Sequence, residues 1–355
     1  MSRHKSQVNM ADVARVTGLS LSSVSRALRG ASGVGEETRR RVMEAADQLS
    51  YVVSPEASRL AGGSTGRVAL IVPMIDYWFY AAMVAAIERV LREAELDVLL
   101  YHVEDPVERR RFFEQLPARR KVDAVIMIAL PVPDEEAKRL DMMGVHIVVA
   151  GGRLFDHPCV RIDDVEVGCT ATNHLMRLGH HRIAMIYPGP PEGAPWAPVR
   201  DRCQGYRDAL TSSGLEVDEQ LMVSLPWPGA GGTAAMAPHV SSAIDRLFSL
   251  RNPPTALFAF SDELAITATR MLLRAHMAVP EQISVIGVDD HPMADLHDLT
   301  TVRQPVADQG ALAARMVLDL LNGRSLTNRD VVLPTQLVLR RSVAPPTPGG
   351  ACTAP

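Results

Sequence analysis

The rhythm of polar and apolar positions changes twice along the chain. Over residues 9–49 apolar residues recur at helical spacing, with no alternating run that reads as a strand. Val13, Val16 and Thr17 give a first helix one buried face, with Asn9 as its N-cap and Gly18 as its stop. Ser20 caps a second helix in which Leu21, Val24 and Leu28 share a side. A loop over 30–35 leads to a third helix from Glu36 to about Leu49, striped by Val42, Ala45, Ala46 and Leu49. Three helices in roughly 45 residues make a small all-α head near the lower limit of independent folding. A connector follows over 51–66, where Ser54-Pro55-Glu56 opens and Gly62 ends one or two helical turns. So short a helix needs a partner to form in water.

From Arg67 onward, apolar runs alternate with helical stretches. Strands are expected at 67–73, 97–103, 124–130, 146–151, 159–163, 182–187, 221–225, 255–261 and 284–289, with 329–340 closing the series. Helices fit between them at 78–95, 165–178, 202–213, 236–250, 262–275 and 307–322. Nearly continuous apolar strands alternating with helices imply doubly wound parallel sheets covered on both faces. The stretch is too long for one such sheet, so two similar α/β lobes are expected over 67–342. The tail 343–355 is rich in Pro and Gly and reads as disordered.

Charge sharpens this division. The net charge of −4 argues against a uniformly basic coat, but it is unevenly spread. Residues 1–62 hold nine Lys/Arg against six Asp/Glu, and the remainder holds 28 against 35. A basic head on an acidic body suggests that only the head meets a polyanion. Aromatics make up 5 %, leaving the core to aliphatic side chains and Met. Four scattered cysteines show no framework spacing and fit free thiols in a reducing compartment. The N-terminus lacks an apolar signal region and no apolar run has the ~20 residues that span a bilayer, which points to a cytoplasmic protein.

Residues 10–29 (MADVARVTGLSLSSVSRALR) form a helix, a Gly turn and a second helix, the pattern of a helix-turn-helix. A merely stabilising helical hairpin would share that pattern. The strings VARVTGLSLSSVSRAL, VGEETRRRV and LSYVVSPEASRLA extend it, and together they closely resemble the DNA-binding head of the LacI/GalR family of bacterial transcription regulators. TGRVALIVP, LGHHRIAMI, RCQGYRDAL, FSDELAI, ISVIGVDD and LTTVRQP resemble that family's effector-binding core, so the resemblance covers about residues 9–342. It implies a helix-turn-helix head on a two-lobed core resembling periplasmic binding proteins.

On the head, Leu21 and Ser22 open the second helix, whose N-terminal end should face base edges. Arg26 lies a turn further on and suits a bidentate contact to guanine. Asn9, Ser20, Ser23 and Ser25 suit phosphate contacts, and Arg29 adds charge. Arg39, Arg40 and Arg41 read better as a solvated helix face, given Glu36, Glu37 and Glu44 nearby. Leu60 matches the family's connector leucine, which wedges into the minor groove. Val53-Ser54-Pro55 departs from the usual Pro-Asn there, and Leu21-Ser22 departs from the better-known reading pairs.

In the core, the resemblance implies effector contacts by Arg202 and Asp289, an aromatic wall at Phe79 and Tyr80, and further contacts at Ser261, Asp262 and Gln304. Trp227, at the end of its expected strand, is placed to stack on a sugar ring. Asp262 and Asp290 would serve equally as helix caps, and Trp78 as core or subunit interface. The implied function is a DNA-binding regulator, a repressor released by a small-molecule effector such as a sugar, or the same fold with a corepressor. Two heads reading a palindromic operator in double-stranded DNA imply a homodimer. The family's tetramerising leucine tail has no counterpart in the Pro/Gly-rich end. A solute-binding protein on the same lobes would leave the head unexplained. His180-His181 have no further ligand at metal spacing, no cofactor is expected, and no GxSxG elbow, P-loop or dinucleotide fingerprint supports an enzyme.

Overall fold

A computed structural model describes residues 8–28, 33–49, 51, 64–189, 196–227 and 232–347. The chain divides into two compact units at Gly66/Arg67. The first contains α1 (Met10–Thr17), α2 (Leu21–Leu28) and α3 (Glu36–Gln48). Asn9 forms a capping box with Asp12, and Gly18 ends α1 in the left-handed region at φ +70°. A Cβ at Gly18 would meet no neighbouring atom, so glycine is required there by conformation rather than by space. Val13, Val24, Ala27, Val42, Ala45 and Ala46 are buried together, as the periodicity predicts. Val16 and Leu21, expected on apolar faces, are instead exposed. Arg29, Leu60 and nearly all of the expected connector lie outside the described residues.

The second unit holds two six-stranded sheets. In the amino-terminal lobe, β1 (Arg67–Val72), α4 (Trp78–Glu93), β2 (Asp97–His102), α5 (Pro106–Gln115), β3 (Ala124–Ile128), α6 (Asp134–Leu140), β4 (His146–Ala150) and β5 (Cys159–Arg161) follow in turn. The chain then enters the carboxy-terminal lobe with α7 (Asp164–Arg177), β6 (Ile183–Pro188), α8 (Ala197–Ser212), β7 (Met222–Leu225), α9 (Gly232–Phe248), β8 (Ala256–Ala259), α10 (Asp262–Arg274), β9 (Ser284–Asp289), α11 (Pro292–Leu296) and β10 (Thr300–Arg303). It returns through α12 (Val306–Leu321) and β11 (Asp330–Val332) before ending the second sheet with β12 (Gln336–Val338).

The sheet orders are β11-β5-β4-β3-β1-β2 and β12-β10-β9-β8-β6-β7, parallel throughout except for β12 against β10. Central strands such as β3 and β9 are buried along their whole length, as strands covered on both faces must be. The two doubly wound lobes expected from the pattern are therefore present, with three differences. The single closing strand expected over 329–340 is split, and its halves β11 and β12 belong to different sheets. Pro334, which can supply no ladder N–H, lies between them. Thr300–Arg303 is a strand that the apolar pattern did not reveal, because half its positions are threonine. Thirdly, α5 and α6 fill intervals that were left without helices, capped by Asp105 with Pro106 in the first turn and preceded by Pro133.

The chain thus crosses between lobes three times, at 162–163, 304–305 and 333–335. Close helix packing fixes each lobe beside these crossings. A Cβ on Gly205 of α8 would collide with the Val165 carbonyl of α7, and one on Gly168 with the Arg202 carbonyl. Gly310 lets α12 lie against Met83 of α4 in the same way.

Residues 343–347, expected to belong to a disordered tail, are instead tied to the core. The Ala344 carbonyl accepts from His180 Nε2 (2.9 Å) and the Ser284 hydroxyl (3.0 Å), and the Thr347 hydroxyl donates to the Glu281 carbonyl. The physical reason is that His180 and Ser284 are buried polar groups that require partners. A carbonyl only accepts, so Nε2 of His180 carries the proton and Nδ1 accepts from the Thr255 hydroxyl at 2.9 Å. His180 is therefore a structural latch for residues 343–347.

Candidate functional site

The carboxyl ends of the strands of both sheets face one cleft of about 730 Å³ between the lobes. Its walls follow β1 (Met74), β3 (Ala129), β4 (Gly151), β8 (Phe260, Ser261) and β9 (Asp289), the position where open α/β sheets present ligand-binding residues.

Arg202 and Asp289 meet there. Arg202 is buried on α8. Its Nε donates to Oδ1 of Asp164 (2.7 Å), its Nη1 donates to the Phe260 carbonyl (2.6 Å), and its guanidinium carbon lies 4.2 Å from the centre of the Phe260 ring. Asp164 opens α7 directly after the first crossover, so the pair is set by the same glycine contact that joins α7 to α8. Burial pushes the Asp164 carboxyl up, against the pull of the guanidinium.

Asp289 ends β9 in a backbone conformation that side chains with a Cβ rarely adopt, φ +126°, and Asp290 follows at φ +56°. Such strain costs of order 1–3 kcal/mol per residue and concentrates where a side chain must be aimed at a ligand. Oδ1 of Asp289 accepts from Gln304 Nε2 at 2.6 Å, and Gln304 Oε1 accepts from Gln309 Nε2 at 3.0 Å. This chain joins the carboxy-terminal lobe, the second crossover and α12. Burial raises the Asp289 carboxyl while Arg202 and Gln304 oppose the rise; Asp262, buried and repelled by Asp289, is raised as well.

Six of the eight expected core residues line the cleft: Phe79, Tyr80, Arg202, Ser261, Asp289 and Gln304. Two do not. Asp262 is fully buried below the wall, accepting from the Thr301 hydroxyl (2.6 Å) and the His291 N–H (2.8 Å) in space left by Gly287. Ser261, not Asp262, caps α10, while Asp290 pairs with Arg303 and Arg340. Trp227 stands behind the wall, edge-on to Trp196 at 5.1 Å, because Trp196 occupies the lining position that Trp227 was expected to fill. Trp78 bridges the lobes: its backbone N–H donates to Oε1 of Glu263 (3.3 Å) and its ring meets His291 at 5.0 Å.

The sequence reading missed Asp164, Trp196, Phe260 and Gln309. Asp164 and Phe260 each sit at the end of an expected strand, which is the signal that could have found them. Four buried polar atoms on the lining lack a hydrogen-bond partner: the hydroxyls of Tyr77 and Tyr80, Nε1 of Trp196 and Oε1 of Gln309. Burial pushes both phenols far up, so they stay protonated donors.

On the head, Ser20, Leu21, Ser22 and Arg26 form the exposed side of α2, opposite buried Val24 and Ala27. Ser20 Oγ accepts from the Ser23 N–H, and Ser25 is half-buried. The Asn9 carbonyl oxygen is occupied by the α1 cap, leaving its amide to act outward. Arg40 pairs with Glu37 and Glu44, and Arg41 donates to the Thr17 carbonyl at the end of α1. Among the described residues no group of three or more side chains is placed to hold a metal, and no helix is long and apolar enough to cross a membrane.

A helix-turn-helix unit followed by a two-lobed core with a cleft between the lobes defines the class of ligand-responsive DNA-binding proteins. Residues 9–54 match the model of bacterial regulatory proteins of the lacI family, and 172–343 match a periplasmic binding protein-like domain. The HTH-type transcriptional regulator CelR of Thermobifida fusca is 32 % identical, over 93 % of this chain and 96 % of that protein. GalR of Escherichia coli strain K12 is 31 % identical, over 94 % and 95 %. A solved complex of the regulator CelR with cellobiose matches with a TM-score of 0.66 and 30 % identity, covering 94 % of this chain and 99 % of that one. The lac repressor dimer bound to operator and the anti-inducer ONPF shares the fold at a TM-score of 0.79, 24 % identity, and 96 % and 100 % coverage. The chain belongs to the lacI family of bacterial regulatory proteins, and it is a DNA-binding transcriptional regulator, not an enzyme.

Proposed function

We propose that this regulator is a cytoplasmic homodimeric repressor whose hold on a palindromic operator is released by a sugar bound between the lobes. The observation that carries the effector reading is that Arg202 and Asp289 share one cleft with Tyr77, Tyr80, Trp196 and Gln309, each of which holds a buried polar atom without a hydrogen-bond partner. Buried polar groups in native proteins are almost always paired, so these four call for a ligand rich in donors and acceptors. A sugar supplies hydroxyls that both donate and accept, and a C–H face for Phe79 and Trp196. The cellobiose bound by the related CelR points the same way.

On the head, Leu21, Ser22 and Arg26 read base edges, and Asn9, Ser20, Ser23 and Ser25 hold phosphates. Arg29 adds charge and Leu60 serves as the minor-groove wedge. Phe79, Tyr80, Arg202, Ser261, Asp289 and Gln304 hold the effector. Control of DNA affinity requires that the sugar bind the free and operator-bound forms unequally, and the coupling is reciprocal. Selection of bound duplexes from a random library at physiological salt tests the DNA half. A palindrome with a guanine in each half-site is expected, whereas binding that depends on salt alone would contradict it. Titration of the selected duplex with sugars tests the rest: release supports an inducer, and tightening would instead make the ligand a corepressor.

A further inference from the structure

Two helix N-termini from opposite lobes converge on one side chain. Glu263 lies in the first turn of α10, and its Oε1 accepts from the backbone N–H of Trp78, the first residue of α4, at 3.3 Å. Tyr77 occupies the N-cap position of α4 but makes no side-chain capping bond, so the carboxylate that serves this helix arrives from the other lobe. Each N-terminus carries a partial positive charge. Bringing the lobes together therefore sets like partial charges against each other unless a carboxylate lies between them, and Glu263 supplies it.

The same short segment meets the carboxy-terminal lobe at two further points. The ring of Trp78 stands edge-on to His291, the N-cap of α11, at 5.0 Å. Asp76, two residues before α4, lies against the first residue of α9: a Cβ on Gly232 would stand 2.9 Å from its Oδ2. Residues 76–78 thus touch the starts of α9, α10 and α11. Asp76 is exposed and Trp78, Glu263 and His291 are half-buried, so these contacts lie nearer solvent than buried Arg202 and Asp289.

Resting on the reading that an effector held between the lobes releases the operator, we infer that residues 76–78 form a clasp on the closed cleft. Glu263 is its positioning residue, joining the lobes rather than contacting the effector. The closed arrangement is the one that encloses a ligand, so the clasp favours effector binding and, by reciprocal coupling, opposes operator binding.

Amide hydrogen exchange of the full chain without sugar tests the clasp. In Glu263→Ala, exchange should quicken by about two- to fivefold, the range set by a carboxylate at a helix N-terminus, both over 78–81 and at the start of α9 where Asp76 lies. Glu263→Gln, which keeps an acceptor for Trp78, should show less of it. Quickening confined to 78–81 would reduce Glu263 to a local cap and overturn the inference, as would no change anywhere. The second measurement is release of the selected operator duplex by sugar. Glu263→Ala should need about two- to fivefold more sugar, and should bind the duplex more tightly when no sugar is present. A contact to the effector alone would move only the first, so unchanged or weaker sugar-free operator affinity would overturn the inference. If no sugar releases the native chain, the effector reading fails, while the exchange pattern still decides whether the lobes are clasped.

Discussion

Gln304 donates its side-chain amide to the Asp289 carboxylate at 2.6 Å, tying the second crossover between the lobes to the floor of the cleft. Both residues are buried, and Gln304 in turn accepts from Gln309 on α12. A ligand that engages Asp289 therefore touches a chain of side chains running from one lobe to the other. Gln304→Leu should leave a buried carboxylate short of a donor, at a cost of ~1–3 kcal/mol in stability. It should also weaken effector binding. Denaturant unfolding and calorimetry of the same variant measure the two effects, and an unchanged pair of values would remove the link.

Gly205 offers a test in which two effects oppose. Helix propensity favours Ala over Gly inside a helix by about 1 kcal/mol. A Cβ at Gly205, however, would collide with the Val165 carbonyl of α7. Overpacking of this kind costs ~1–3 kcal/mol, so Gly205→Ala should lower the unfolding temperature rather than raise it. Because α7 and α8 carry Asp164 and Arg202, the variant should also bind effector less tightly.

Arg26 stands on the exposed face of α2, where its Nε donates to the Ser22 carbonyl at 3.4 Å. Arg26→Ala should cost ~1–3 kcal/mol of operator affinity and relax preference at one symmetric base pair. Repeating the duplex selection with the variant checks this. Base preferences that survive unaltered would displace α2 from the reading role.

Acid should loosen the latch at His180. Burial holds its imidazole below the usual 6.5, so the unfolded chain binds more protons between the lowered value and 6.5. Stability contributed by His180 is thus complete above pH 6.5 and is lost as pH falls through the folded value. His174 and His291 are lowered too, whereas buried Asp164, Asp262 and Asp289 are raised and act with the opposite slope. The stability difference between the native chain and His180→Ala isolates the effect. It should be larger at pH 7.5 than at pH 5.

Much of this was legible before the structure, and particular residues show why. Asn9, Gly18 and Ser20 act locally, so the turn of the head followed from their chemistry alone. Continuous apolar strands announced buried parallel sheets, and motifs in order placed Arg202 and Asp289. Trp227 and Asp262 were misplaced because a strand end is aimed by its neighbours. Trp196 arrives from a different segment to cover Trp227, and Gly287 opens the space that draws Asp262 beneath the wall. The splitting of 329–340 between two sheets is likewise a long-range choice, since nothing local to β11 and β12 distinguishes their partners.

Tyr80 permits the most direct test of the central claim. Tyr80 lines the cleft, and its hydroxyl is buried with no hydrogen-bond partner among the described residues, so the folded protein gains nothing from it. The measurement is release of a fluorescent operator duplex by sugar, compared between the native chain and Tyr80→Phe. The account predicts equal operator affinity without sugar, equal or higher unfolding temperature, and a release curve displaced by about tenfold to higher sugar concentration. A variant released at the same sugar concentration as the native chain would contradict effector control through this cleft.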